Sequence, residues 1–598
     1  MNTLSTLAPK HFQRPGSAPT VMIVGAGPVG LSLAILLKKW GVSFRIIERN
    51  AGPSTATKAM AIHSRTLEIF RDLGVAEQAI SDGFTINQFS VQSNAKRVLN
   101  YNFSYLDAPY PLLLSLPQPQ TEKILLERLR ELGAEVEWNT ELTDIENLPG
   151  SVRMTLKHAD GTDEHFTSRW VAACDGARSN IRKRLDMTFE GSSYDRFFML
   201  ADADIEWSGS KDEGAFFLGA QDGYVAVAPI SAQSRYRLFI EMPYNLPPEG
   251  ERPSLSLENF QRLCEGRGQK MTLSNISSTT IASFQHRRVQ SMQQGSVFLL
   301  GDSAHIGSPI GGQWMNLGVS EAYNLAWKMA YVDQGLANPS LLDSYNEERY
   351  PVALEVENTA HRLTGLITVR RRALVWLRDN VLPLLSNRKK VQRKLPSMIS
   401  GHQYHYEKSD YIQESLTKKQ RKNWSKKGKK PEFQSAAPRA GQLAPDVELW
   451  QLQGMPAKRL IDLFHGTFTL LIFSAADQFS PLLPGYYALA KSVEKDFPGI
   501  KAYCVIDALS SAGLPAWHST LLDPDWRLHK RYHAKEGTMM LIRPDGYIAF
   551  LGADAITLMT YLNVRSGLLK GARNNILRDR RSGTPTLSRS MATASLMN

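Results

Sequence analysis

With 598 residues, 42% of them apolar and 21% charged, the chain has the balance of a soluble globular protein and is too long for one ordinary core. Cys174, Cys264 and Cys504 lie far apart, which argues against a disulfide framework or a thiolate metal site and fits a reducing, cytoplasmic setting. The formal charge of +12 is no nucleic-acid signature, because residues 418–430 (KKQRKNWSKKGKK) alone supply eight basic residues and no acid, leaving +4 for everything else.

Residues 1–20 lack the apolar core of a secretory signal and read as a flexible N-terminus; Lys10 and Arg14 leave a targeting role open. The apolar stretch Val21 to Leu37 is broken by three glycines and Pro28, so it reads as a buried strand and helix, with no stable membrane insertion expected. Residues 21–48 run strand, glycine turn, helix, strand. A mixed region follows, then alternating strands from about 190 to 290 (FFMLADADIEW, YVAVAPIS, YRLFIEM). Residues 296–350 return to a strand and a long helix, and 351–405 are helical. The apolar-and-arginine stretch RLTGLITVRRRALVWLRDNVLPLL reads as a helix packed on the main body. The basic run then reads as a solvated linker, with contact to an anionic surface as the other reading. Residues 440–570 form a further strand-and-helix unit, and the polar tail from about 571 is expected to be disordered.

The strand VMIV leads into Gly25-Ala-Gly27-Pro28-Val-Gly30 and a helix, and Glu48 ends the next strand. Gly25 permits the tight turn, Gly27 a close approach of backbone to pyrophosphate, and Gly30 close packing of helix on strand. The helix N-terminus favours phosphate, and an acid at the position of Glu48 accepts ribose hydroxyls. Glu48 disfavours a 2′-phosphate, and so NADP, at this site; FAD and NAD are not separated by the motif alone.

Two distant segments, VAACDGARSNIRKRL (171–185) and VFLLGDSAHIGSPIGGQWMNLGVSEAYNLAWK (297–328), join GAGPVG, RTLEIFRDLG and LLDSYNEERYPVA in a pattern that resembles the class A flavoprotein monooxygenases, the para-hydroxybenzoate and phenol hydroxylase family. The resemblance covers about residues 20–405. It implies an α/β chain: a Rossmann-type FAD-binding domain (21–190 and 285–405, with a helical extension) and an inserted β-rich substrate region (87–118 and 190–285). A linker (406–439) and a C-terminal α/β domain similar to the thioredoxin-like extension of phenol hydroxylase (440–570) would follow. That domain lacks CxxC, so it has no dithiol chemistry and its expected role is structural or in subunit contacts.

For the cofactor, the resemblance implies that Asp302 and Gly301 hold the ribityl chain or ribose of FAD. Pro309, Gly311 and Gly312 would lie against the flavin, with Met315 and Asn316 N–H groups near its pyrimidine edge. Asp175 and Gly176 match the family's DG motif, which supports both FAD and NAD(P)H; Gln118 and Arg65 stand where the family grips FAD, and Arg49 where it meets the pyridine nucleotide. Asp175 could instead cap a helix, and Arg49 or Arg65 could be ion pairs of little worth. Two departures stand out: Trp314 replaces a usual glycine and could stack on the flavin or narrow the cavity, and Lys58 replaces a usual arginine.

The implied activity is hydroxylation of a phenolic or polycyclic aromatic substrate with O2. NADPH or NADH reduces FAD transiently, and a flavin C4a-hydroperoxide delivers the hydroxyl. No metal is expected. Phe216, Phe217, Tyr224, Tyr236 and Trp314 are candidates for lining the substrate cavity, although aromatics at strand spacing also serve as core. A homodimer is compatible with this reading. The other readings are a flavoprotein oxidoreductase of the same fold that inserts no oxygen, and a flavin-binding partner protein without catalysis.

Overall fold

The structure is a computed structural model that describes residues 19–571 except 56–58, 94–95, 220–222, 243, 268–269, 309–310, 368, 370, 387, 417–436, 451–458, 475–479 and 509–519. The expectations for residues 1–18, the basic run and the tail from 572 therefore fall outside the described residues, as do Lys58 and Pro309.

The strands Val21–Val24 and Trp170–Ala173 are buried along their whole length, as continuous apolar strands of a doubly covered parallel sheet should be. They pair in parallel; Phe44–Glu48 joins Val21–Val24 on the other side, and Val297–Leu299 lies beside Trp170–Ala173, both in parallel. Gln293–Gln294 and Glu137–Trp138 complete a six-stranded sheet at its two edges. The chain leaves Val21–Val24 toward one edge and later returns on the other side. That reversal opens a crevice at the carboxyl ends of the strands.

The helix Pro28–Lys39 covers this sheet, starting on a proline whose missing N–H is no loss there and ending on Lys38 and Lys39 at the negative pole. It packs against the long helix Gln313–Asp333. Residues 141–168 form a separate antiparallel meander of three strands.

An eight-stranded sheet forms the second layer, in the order His305–Ile306, Thr272–Arg288, Glu190–Glu206, Arg235–Met242, Tyr224–Pro229, Glu213–Leu218, Gln88–Ser93, Lys96–Asn102. The strand Leu113–Ser115 pairs elsewhere, with Ala61–Ile62 and Phe84–Ile86. Period-two alternation gives the large sheet two apolar faces. One, with Phe217, Tyr236 and Leu238, is covered by the helix Leu257–Glu265 through Phe260 and Cys264. The other, with Phe198, Phe216 and Tyr224, faces Leu363 and Leu395.

The C-terminal unit holds a second six-stranded sheet, in the order Gln413–Glu414, Ile548–Gly552, Met539–Ile542, Phe468–Ser474, Ile500–Ile506, Thr520–Leu522. Three strands run parallel and a hairpin closes one side. Its apolar core is continuous with that of the first sheet. Within the junction, Glu348 accepts from Arg543 at 2.6 and 2.9 Å and from Lys328 at 2.8 Å, all three side chains being buried. Burial pulls the Lys328 ammonium down to about 8 although Glu348 opposes it. Cys504 is buried in mid-strand, its thiol pushed up to about 12 by desolvation, and inert in keeping with the missing CxxC. Among the described residues no helix is long and apolar enough to cross a membrane.

Candidate active site

The motif residues at Gly25, Glu48, Asp175 and Asp302 all sit at the carboxyl end of the first sheet. Gly25 has φ +107°, and a Cβ there would strike the Cys174 carbonyl; a Cβ at Gly30 would strike the Gly25 carbonyl. These two glycines are steric necessities. Gly27 has nothing within 4 Å of the place its Cβ would take, so its outer side is open. No side chain caps the helix Pro28–Lys39 and no acid stands in its first turn, which leaves its positive pole exposed to a ligand. Glu48 accepts from the Ala26 N–H at 3.1 Å and, through its other oxygen, from Asn50 N–H and Nδ2–H at 3.0 and 2.6 Å. It thereby ties the second strand to the glycine turn.

Asp175 is divided between two jobs. Its Oδ2 accepts from the N–H groups of Asn180 and Ile181 at 2.7 and 3.3 Å. Its Oδ1 is buried with no partner among the described residues. Burial raises its pKa although those hydrogen bonds oppose the rise. Gly176 beside it has φ +76° and open space where a Cβ would stand. Asp302 is exposed at the end of its own strand, next to Gly301 at φ +59°.

A second turn faces this edge. Gly311 and Gly312 have φ of +84° and +60°, and a Cβ on Gly312 would come within 2.6 Å of Ala61 Cβ. Gly312 opens the helix Gln313–Asp333 without a side-chain cap or an acid in the first turn. Met315 and Asn316 lie in that first turn, where backbone N–H groups lack intrahelical acceptors. The Asn316 side chain locks the turn: Oδ1 accepts from His63 N–H at 2.8 Å, and Nδ2–H donates to the Ala61 and Gly312 carbonyls at 2.8 and 2.7 Å. His63 Nε2–H donates to the Gly311 carbonyl at 2.8 Å. Burial, aided by His402, lowers the His63 imidazole to about 4, so it is neutral.

Trp314 is folded back on its own loop. Its indole N–H donates to the Ser308 carbonyl at 2.8 Å, its ring tilts against His305 at 5.4 Å, and it fills the space beside Gly307. His305 is buried and donates from Nε2 to Glu321 at 2.7 Å. Burial works against charge there, yet the Glu321 carboxylate outweighs it and holds His305 above the ordinary imidazole value. The same Glu321 accepts the Gly301 N–H at 2.8 Å.

Several expected residues take other places. Arg65 is buried in the helix Ser64–Leu73, bonded to Glu68 and to the Asp545 carbonyl of the C-terminal unit, both at 2.6 Å, so its guanidinium is consumed at the domain junction. Tyr236 and Phe217 lie on the sheet face turned toward Phe260, opposite Phe216 and Tyr224, because neighbours along a strand point to opposite faces. They leave the list of cavity candidates. Phe216 and Tyr224 remain, 5.8 Å apart, with Phe89 and Tyr101 alongside. Phe89, Tyr101 and Ala61 all pack against the cluster of Ile86, Phe103, Leu113 and Ile399, and Ala61 in turn lies against Gly312. Gln118 is half-buried at the start of its helix, donating to Glu122 at 2.8 Å, and Arg49 is exposed after Glu48.

Residues 18–360 match the family of FAD binding domains. The chain belongs to that family. It is 33% identical over 401 residues, 65% of its own length and 70% of the other, to 6-methylpretetramide 4-monooxygenase of Streptomyces rimosus. It is 29% identical over 543 residues, 88% and 93% of the two chains, to pentachlorophenol 4-monooxygenase of Sphingobium chlorophenolicum. Among solved structures, anhydrotetracycline hydroxylase from Streptomyces rimosus shares its fold, with a TM-score of 0.68 at 24% identity over 92% of this chain and 99% of that one. The protein is an FAD-dependent aromatic monooxygenase.

Within this monooxygenase, the pattern reading missed His63, Glu321 and Gly318. A Cβ on Gly318 would lie 2.6 Å from Val29 and 3.0 Å from Gly301 Cα, so that glycine lets the long helix close on the turns at Val29 and Gly301. Gly318 and Glu321 share a helix face at i, i+3 spacing, a signal visible in the sequence. For His63 no local signal exists, since its partners are about 250 residues away.

Proposed function

We propose that the chain hydroxylates a phenolic or polycyclic aromatic substrate that lies against Phe216, Tyr224, Phe89 and Tyr101, beside the Gly311–Gly312 turn. Gly25, Gly27, Gly30 and Glu48 would hold the ADP half of FAD; Asp175, Gly176, Gly301 and Asp302 would hold its central hydroxyls and phosphates. Gly311, Gly312, Met315 and Asn316 would frame the flavin ring, with Gln118 at the rim. Bound FAD supplies reduction by NAD(P)H, taken up transiently near Arg49, and activation of O2. The chain's own task is to orient the ring and keep water from the reacting face.

One observation carries this reading: an unpaired buried oxygen of Asp175 stands at the same sheet edge as the open side of Gly27, and both fit a ligand rich in hydroxyls and phosphates. The names of relatives that act on pretetramide and chlorophenol rings agree with the aromatic face. Within this scheme the C-terminal unit is a structural, thioredoxin-like domain. Its parallel strands flanked by a hairpin, with Cys504 buried in mid-strand, support that.

The test is the purified protein's absorption spectrum, followed by NADPH and NADH oxidation and O2 uptake across a panel of phenols and fused-ring phenols. A yellow protein whose nicotinamide oxidation is stimulated by one of these, with a hydroxylated product, bears the proposal out. Substrate turnover without oxygen uptake refutes it.

A further inference from the structure

Residues 361–400 hold ten arginines and lysines against a single acid, Asp379. With the run at 418–430, this segment accounts for more than the whole net charge of the chain. The helix Arg372–Ser386 lies in its middle. On its inner side Arg378, buried, donates to Asp379 at 2.8 Å and to Ser93 Oγ at 3.0 Å, and Ser93 donates to Asp379 at 2.8 Å. The outer side is apolar, with Leu374 45%, Trp376 64%, Leu377 49% and Leu384 74% exposed. At 3.6 residues per turn these four fall in one arc with Ala373 and Asn380, and Asn380 is the one polar residue among them. A surface helix ordinarily turns such a stripe inward. Arg362, Arg371, Arg388, Arg393 and Lys394 are exposed around it.

We propose that this face docks on the surface of an anionic phospholipid bilayer. Trp376, Leu377 and Leu384 would enter the boundary between headgroups and acyl chains, while the flanking arginines and lysines meet lipid phosphates. The charge selects this occupant. A second copy of the chain would set one cationic rim against another. A nucleic acid would match the cations and leave the tryptophan and leucines in water. A bilayer answers both.

The location adds a purpose. The helix packs on the strand Lys96–Asn102 at the edge of the large sheet, and Leu363 and Leu395 of the neighbouring helices touch the aromatic face. Docking therefore brings that face next to a phase in which fused-ring aromatics accumulate. This delivery role rests on the proposed hydroxylation; docking itself does not.

Full-length protein floated with vesicles settles the matter. Expected is comigration with phosphatidylcholine–phosphatidylglycerol vesicles about tenfold stronger than with phosphatidylcholine alone. It should be lost at about 1 M salt, where the Debye length is about 3 Å. The double variant Trp376→Glu with Leu384→Glu should bind about tenfold more weakly at unchanged Tm, both sites being exposed. A variant with the eight basic residues of 418–430 replaced by glutamine should keep most of the binding. Absence of binding to the anionic vesicles overturns the proposal, as does equal binding by the double variant. Loss confined to the 418–430 variant overturns it by moving the attraction to that run. A parent that sediments as a dimer and a double variant that sediments as a monomer would give the face to a second copy.

Discussion

Two sheets of six strands share one core in this molecule, and their carboxyl ends differ in what is left open. In the first, Asp175 follows the strand Trp170–Ala173 and keeps one buried oxygen without a partner among the described residues. In the second, Asp523 follows Thr520–Leu522 in the same way. Yet its two oxygens accept from Leu528 N–H at 3.1 Å and from His529 N–H and Nδ1–H at 2.9 and 2.8 Å. Asp545 is likewise closed, by Arg543, Asn324 and Trp327. The layered architecture does not mark a ligand site; an unanswered buried carboxylate at a strand end does, whereas the second sheet leaves the Ser474 hydroxyl unanswered among the described residues at its own strand end, a group that costs less to bury.

The sharpest way to break the comparison is to open the closed side. Arg543→Met leaves Glu348 buried with less than its full set of donors and should cost about 3–5 kcal/mol of stability. Urea unfolding measures it; a loss below about 1 kcal/mol, typical of exposed pairs, would mean the junction is not the closed structure described.

On the open side, His63 gives a pH signature. Its folded value of about 4 lies below the unfolded 6.5, so the unfolded chain takes up the proton first. The stability it contributes is complete above pH 6.5 and falls away as pH drops toward 4, by about 3 kcal/mol in all. His63→Gln, which retains a donor for the Gly311 carbonyl, should flatten that slope. Equal slopes for parent and variant would sink the assignment.

The glycine turn separates steric from ligand roles. Gly30→Ala should destabilise the apoprotein by about 1–3 kcal/mol because its Cβ meets backbone. Gly27→Ala should leave the apoprotein Tm unchanged while weakening FAD about tenfold, or about 1.4 kcal/mol, in a fluorescence titration. An unchanged FAD affinity would remove Gly27 from the site.

The smallest effect compares the two faces of the large sheet. Phe217→Leu should cost about 1 kcal/mol of stability without altering substrate KM, whereas Phe216→Leu should raise KM with little loss of stability. The reverse pattern would exchange the faces.

What the sequence made legible follows from how local each cause is. Gly25, Gly30 and Asp175 could be read because a strand, a turn and a helix start lie within a few residues of each. The missing CxxC could be read for the same reason. Arg65 could not, since the carbonyl it serves is at Asp545, at the other end of the chain. Adjacent strand residues point to opposite faces, yet the cavity expectation takes in Phe216 and Phe217 together. Which of them faces a core depended on the helix Leu257–Glu265, which no local pattern locates.

The order of strands in the first sheet carries a consequence for synthesis. Val297–Leu299, with Gly301 and Asp302, pairs beside Trp170–Ala173 only after the five strands of the large sheet between Glu190 and Arg288 have been made. A nascent chain halted before residue 297 has the glycine turn at Gly25–Gly30 but not the Gly301–Asp302 turn beside it. Contacts so distant in sequence form slowly and leave the unfilled edge exposed meanwhile. The cleft between the Gly25–Gly30 turn and the Gly301 turn is thus completed late, and a ligand between them can be enclosed only after residue 302 has been made.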